Sequence, residues 1–111
     1  MKIDRRRVGT VDIHTPLGPL VDDGAAALVD VLNQTLAAPN ARVVLAMDEV
    51  GYMDSAALEG LLSAAEALSE RNMNLKLAGL TPTCREVLEL TGLSRHFQLF
   101  NDVESAVRSF L

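Results

Sequence analysis

Hydrophobic residues along this chain change period several times, and each change marks an element. Val11-Asp12-Ile13-His14 alternates as a half-buried strand does, and Ile3 to Arg7 supplies a hairpin partner across Val8-Gly9-Thr10. Thr15-Pro16-Leu17-Gly18-Pro19 is the strongest turn signal. Beyond it Ala25, Leu28, Val29, Leu32 and Leu36 recur at helical spacing until Pro39-Asn40. Val43-Val44-Leu45-Ala46-Met47 is short and apolar without alternation, the pattern of a central strand covered on both faces.

A second helix begins near Ser55. It gathers Leu58, Leu61, Leu62, Ala65 and Leu68 on one stripe and leaves Glu59, Ser63, Glu66 and Glu70 opposite. Leu75-Lys76-Leu77-Ala78 reads as the next strand. Thr81-Pro82 then supplies an N-cap with proline at the first helical position, where its missing N–H costs nothing. Gly92-Leu93 is the matching stop, glycine fitting the left-handed position past the helix end. Phe97 to Phe100 forms a last strand, and Asn101 with Glu104 reads as a capping-box variant before Val103, Ala106, Val107 and Phe110. The order ββαβαβαβα predicts a single α/β domain over residues 1–111, a mixed, mostly parallel sheet with right-handed crossovers and helices packed against it.

At 111 residues, with 49% hydrophobic content, the chain is long enough to bury one core and needs no second domain. Its formal charge of −5 argues against a general nucleic-acid binder, which needs a concentrated basic surface. Arg5-Arg6-Arg7 is the one basic cluster and reads as a solvated edge strand that discourages pairing, ahead of the alternative of a phosphate or lipid site. There is no apolar run of spanning length, and the charged start Met1 to Arg7 lacks the hydrophobic core of a secretory signal. A cytoplasmic location without membrane insertion is the expectation. The lone Cys84 agrees with a reducing compartment and shares an apolar stripe with Val87, Leu88 and Thr91, as a packed core thiol does.

The candidate chemistry lies in Tyr52-Met53-Asp54-Ser55-Ala56-Ala57-Leu58, which joins the central strand to the second helix. Asp and Ser are preferred N-caps, so capping alone accounts for their presence. The location adds a second reading, because loops leaving the carboxyl ends of strands in open α/β sheets are the usual places for recognition. Backbone N–H groups at a helix start lack partners and carry the positive end of the dipole, so a phosphate on Ser55 would meet a favourable field. Catalytic alternatives fare poorly. No Gly-x-Ser-x-Gly elbow or phosphate-cradling glycine loop is present, and His14 and His96 lack metal-ligand spacing, so no enzyme activity, cofactor or metal is expected.

With the element order, Val43-Val44-Leu45 leading into Tyr52-Met53-Asp54-Ser55, and the run from Pro82 through Cys84-Arg85-Glu86 to Gly92-Leu93, the chain resembles the STAS domain family. That family includes parts of sulfate transporters and bacterial anti-sigma factor antagonists. The resemblance implies a regulatory protein-binding module whose partner is an anti-sigma factor of the serine-kinase type. The partner is bound while Ser55 is unphosphorylated and released on phosphorylation. It further implies a partner-binding set of Gly18, Leu20, Tyr52, Met53, Asp54, Ser55, Ala56 and Ala57, and it leaves a homo-oligomer open.

Two departures favour an alternative. Many phosphorylated members continue with Ser or Thr and then Gly where this chain has Ala56 and Ala57, and often carry a Gly-Glu-Leu-Asp turn where it has Gly18-Pro19-Leu20-Val21. On the alternative, the chain is a non-phosphorylated scaffold or accessory subunit, stressosome-like or belonging to lipid transport, in which Ser55 only caps the helix. Leu17, Leu20, Tyr52 and Met53 are either exposed apolar contacts or core, and the sequence leaves both open.

Overall fold

The computed structural model describes residues 2–111, so Met1, the first residue of the charged start, lies outside it. Five strands, β1 (Ile3–Val8), β2 (Val11–Pro16), β3 (Val43–Ala46), β4 (Lys76–Ala78) and β5 (Gln98–Phe100), lie side by side in sequence order. β1 and β2 pair antiparallel in register Val8 with Val11. Gly9 opens their two-residue turn at φ 59°, a value that disfavours a side chain. The other pairs are parallel.

Handedness then places the helices. Each step from β2 to β5 moves one strand in the same direction, and right-handed crossovers put all three connecting helices on one face. These are α1 (Asp23–Leu36), α2 (Ser55–Ser69) and α3 (Pro82–Leu90). Leu28 and Leu32 of α1, Leu61 and Leu68 of α2 and Leu88 of α3 meet Val43, Leu45 and Leu77 of the sheet in one buried cluster. The last helix, α4 (Val103–Arg108), follows the final strand and is bound by no crossover, so it covers the other face. There Ala106 and the half-buried Val103, Val107 and Phe110 pack on Ile13, Val44, Ala46 and Ala78. Val43 to Ala46 is therefore buried on both sides, as its unbroken apolar run requires.

Caps follow the sequence at both ends of α3 and at the start of α2. Thr81 accepts from the Cys84 N–H at 3.4 Å, with Pro82 at the first helical position. Gly92, at φ 72°, closes α3: its N–H donates to the Glu89 carbonyl and that of Leu93 to the Leu88 carbonyl, the paired bonds of a Schellman motif. Asp54 caps α2. At α4 the expectation needs correction, since the cap is Asp102 and not Asn101. Asp102 takes the extended backbone a cap needs and accepts from the Ser105 N–H at 2.7 Å, while Glu104 pairs with Arg108. A short 3₁₀ turn, Ser94–His96, also precedes β5 where no periodicity signalled it.

Cys84 is fully buried, and its thiol donates to the Val50 carbonyl at 3.2 Å. Arg71 reaches from the end of α2 to the carbonyls of Leu36 and Ala38, satisfying acceptors left open at the end of α1. Arg5, Arg6 and Arg7 are exposed on edge strand β1.

The contact between α1 and α2 depends on the absence of a side chain at Gly60, where a Cβ would stand 2.5 Å from Val29 Cγ2. Val29 is β-branched and cannot rotate away freely. Gly60→Ala should therefore lower stability by about 1–2 kcal/mol, overpacking outweighing the gain in helix propensity. Denaturant unfolding checks this, and adding Val29→Ala should restore much of the loss; additive effects of the two changes would contradict the contact.

Candidate functional site

Two loops leave the carboxyl ends of β2 and β3 side by side. Leu20 and Met53 form a one-residue parallel bridge between them: the Leu20 N–H donates to the Tyr52 carbonyl at 2.9 Å, and the Asp54 N–H donates to the Leu20 carbonyl at 3.0 Å. The sheet is thus extended by a single rung beyond β2 and β3, and this rung fixes where the following helices begin.

Asp54 completes the join. One carboxylate oxygen accepts from the Ala57 N–H and caps α2; the other accepts from the Asp22 N–H at the start of α1, each at 2.9 Å. Asp22 sits at φ 49°, ψ −119°, a backbone region costly for a residue with a side chain, and the bond to Asp54 helps hold it there. The Ala57 and Asp22 N–H groups lower the Asp54 pKa below its usual value, because both bonds favour the carboxylate.

Ser55 is the first residue of α2 and is exposed. Its own N–H and that of Ala56 fall in the first turn, where no intrahelical acceptor exists, so the end of the helix presents a positive field beside the hydroxyl. Around it the surface is acidic, with Asp22, Asp23 and Glu59 all exposed. Tyr52 and Leu17 are the large apolar side chains left open at this end, at 52% and 44% exposure. A groove of ≈ 570 Å³ between α1 and α2 begins at Ala56 and runs past Glu59, Gly60 and Ser63.

The residues singled out from the sequence are brought together here but divide by exposure. Tyr52, Ser55 and Ala56 face outward, while Gly18 and Asp54 are half-buried. Leu20, Met53 and Ala57 are buried, at 0%, 2% and 1% exposure. In the unbound domain these three hold the two loops together from beneath. The Asp22 N–H bond has no signal in the sequence, because nothing local links Asp22 to a carboxylate 32 residues away. His96 is exposed, and among the described residues no group of three acidic, His or Cys side chains is placed to hold a metal. No helix among them is long and apolar enough to cross a membrane.

A family model of the STAS domain matches residues 3–106. The chain belongs to the STAS domain family. Among curated proteins it is similar to the candidate anti-sigma factor antagonist BtrV of Bordetella bronchiseptica, 36% identical over 69 residues, a match taking in 62% of this chain and 60% of that protein. The similarity thus spans less than two thirds of BtrV. Among solved structures, the STAS domain superposes on the candidate anti-sigma factor antagonist tm1081 of Thermotoga maritima with a TM-score of 0.83 at 20% identity, covering 96% of this chain and 92% of that one. It is also similar to the phosphorylated form of the Bacillus cell fate determinant SpoIIAA, with a TM-score of 0.76, 16% identity and coverage of 99% and 100%. At these identities the likeness is one of fold.

The carboxylate tie has a pH signature. The Asp54 pKa is lowered on folding, so its contribution is present above the unfolded value of 3.8 and is lost as pH falls through the lower folded value. Asp54→Asn should lower the thermal midpoint at neutral pH and leave a shallower decline between pH 5 and 2; a decline as steep as that of the unaltered protein would show that the tie contributes nothing.

Proposed function

We propose that this STAS domain is an anti-sigma factor antagonist, a non-enzymatic cytoplasmic regulator that captures an anti-sigma factor of the serine-kinase type. Ser55 gates the capture. The observation that carries the reading is the exposed Ser55 at the first position of α2, on a helix start held by Asp54, at the end of the sheet where Tyr52 and Leu17 are open. The description of BtrV as a candidate anti-sigma factor antagonist supports the same role.

The physics of the switch compares two terms. Phosphorylation adds about −1.5 to −2 charges where a neutral hydroxyl had faced a partner. In the free domain the helix dipole stabilises that charge by about 0.3–2 kcal/mol. Within a desolvated interface an unpaired charge costs several kcal/mol, and Asp54 beside it supplies like-charge repulsion rather than relief. The interface term is larger, so affinity falls by about two decades or more. Ala56 and Ala57 do not obstruct this switch equally. Ala57 is buried and only fills space below the helix start, whereas the Ala56 methyl lies on the surface a kinase must approach.

The test uses the purified protein, ATP and a serine-kinase anti-sigma factor encoded beside it. One phosphate should be added to the unaltered chain and none to Ser55→Ala, and the phosphorylated form should bind that partner about a hundredfold more weakly or worse. Modification at another residue, or equal binding by the two forms, would remove Ser55 as the gate.

A further inference from the structure

A second polar site lies at the opposite edge of the sheet from β5 and uses none of the residues above. Antiparallel pairing of β1 with β2 sets Arg5 opposite His14 and Arg7 opposite Asp12. All four therefore fall on the face that α1 covers. With Gln34 and Thr35 from the last turn of α1 they line a cavity of ≈ 430 Å³.

His14 is 2% exposed, and its Nε2 lies 2.8 Å from Thr35 Oγ1. The tautomer follows from the bonds that the hydroxyl makes. Thr35 donates its one hydroxyl hydrogen to the Val31 carbonyl at 2.9 Å, so it can only accept from the ring, and Nε2 carries the hydrogen. Burial, with the nearby Arg5 charge, lowers the His14 pKa and keeps the ring neutral at pH 7. Nδ1 is then a buried acceptor, and among the described residues it has no donor. Such an atom is costly unless something donates to it.

Arg5 bridges from β1 to Gln34 at 3.3 Å, spanning the same gap between strand and helix as the His14–Thr35 bond. Arg7 approaches Asp12 only to 3.8 Å, and both arginines are exposed. Among the described residues Arg5 has no carboxylate partner, and Arg7 has only this long ion pair with Asp12. Two planar donor forks at the mouth of a cavity suit the oxygens of a phosphate, and a buried acceptor beneath them suits a hydroxyl.

From this arrangement we infer that the cleft between β1, β2 and α1 binds a small phosphomonoester bearing free hydroxyls, its phosphate held by Arg5 and Arg7 and one hydroxyl donating to His14 Nδ1. Binding draws Arg5 away from Gln34 toward the phosphate and so opens the path to the ring. The cavity volume admits a molecule of pentose-phosphate size. A carboxylate, Asp12, stands within the cleft and favours a ligand whose hydroxyls can donate to it as well.

The test is an NMR titration of the intact protein with ribose 5-phosphate, with ribose and sulfate as separate arms. Ribose 5-phosphate should shift the amides of Arg5, Arg7, Gln34 and Thr35 together with the His14 Nδ1 nitrogen signal, and should bind at least tenfold more tightly than sulfate or ribose. Arg5→Gln and Arg7→Gln, both at exposed positions, should each weaken binding about tenfold while leaving the rest of the spectrum unchanged. Equal binding of sulfate with no movement of the His14 signal would mean an adventitious ion only and would overturn the assignment. So would the absence of any response at millimolar ribose 5-phosphate, or a response at these residues to anionic vesicles or an RNA oligonucleotide alone.

Discussion

One carboxylate holds two helix starts. Asp54 accepts from the Ala57 N–H, which sets where α2 begins, and from the Asp22 N–H, which sets where α1 begins. Each helix would otherwise present unpaired donors at its first turn, and the two starts would be related only through loops. Because the same residue continues the Leu20–Met53 rung of the sheet, strand ends, loop crossing and helix entry form a single hydrogen-bonded unit. Ser55 follows this unit directly. Its exposure at the helix start is a consequence of a framework that its side chain takes no part in building.

The rest of the fold supports that end unequally. Three helices on one face supply most of the buried apolar residues, while the other face is covered by α4, with only six residues. That thinner side holds an unusual group. Lys76 of β4 is 6% exposed, and its ammonium meets the Ser109 hydroxyl at 2.5 Å and the Phe110 ring at 4.2 Å from the centroid. Burial lowers its pKa. A hydroxyl and an aromatic face compensate for lost water less fully than a carboxylate would, so the lysine ties the end of the chain to the sheet at some energetic cost.

Much of the fold was legible because its signals are short in range. The unbroken apolar run at Val43 marked the centre of the sheet, Thr81-Pro82 and Gly92-Leu93 marked both ends of α3, and three consecutive arginines marked an edge. Where two capping residues stood together, as at Asn101-Asp102, composition could not choose between them, since the choice belongs to the residue whose backbone is extended when α4 docks. The 3₁₀ turn at Ser94–His96 left no periodic trace because it spans three residues.

The candidate site divides along the same line. The amino-acid sequence by itself determined that a helix starts at Asp54-Ser55 after a buried strand, because capping and periodicity are decided within one or two turns of chain. Only the tertiary structure decided that Leu20, Met53 and Ala57 lie beneath the surface while Tyr52 and Leu17 stay open, that Asp54 has a second donor in Asp22, and that His14 bonds Thr35 below a cleft lined by arginines. Those bonds join residues 21 and 32 positions apart. No local preference encodes them, and they exist only after right-handed crossovers have laid α1 and α2 against the same face of the sheet.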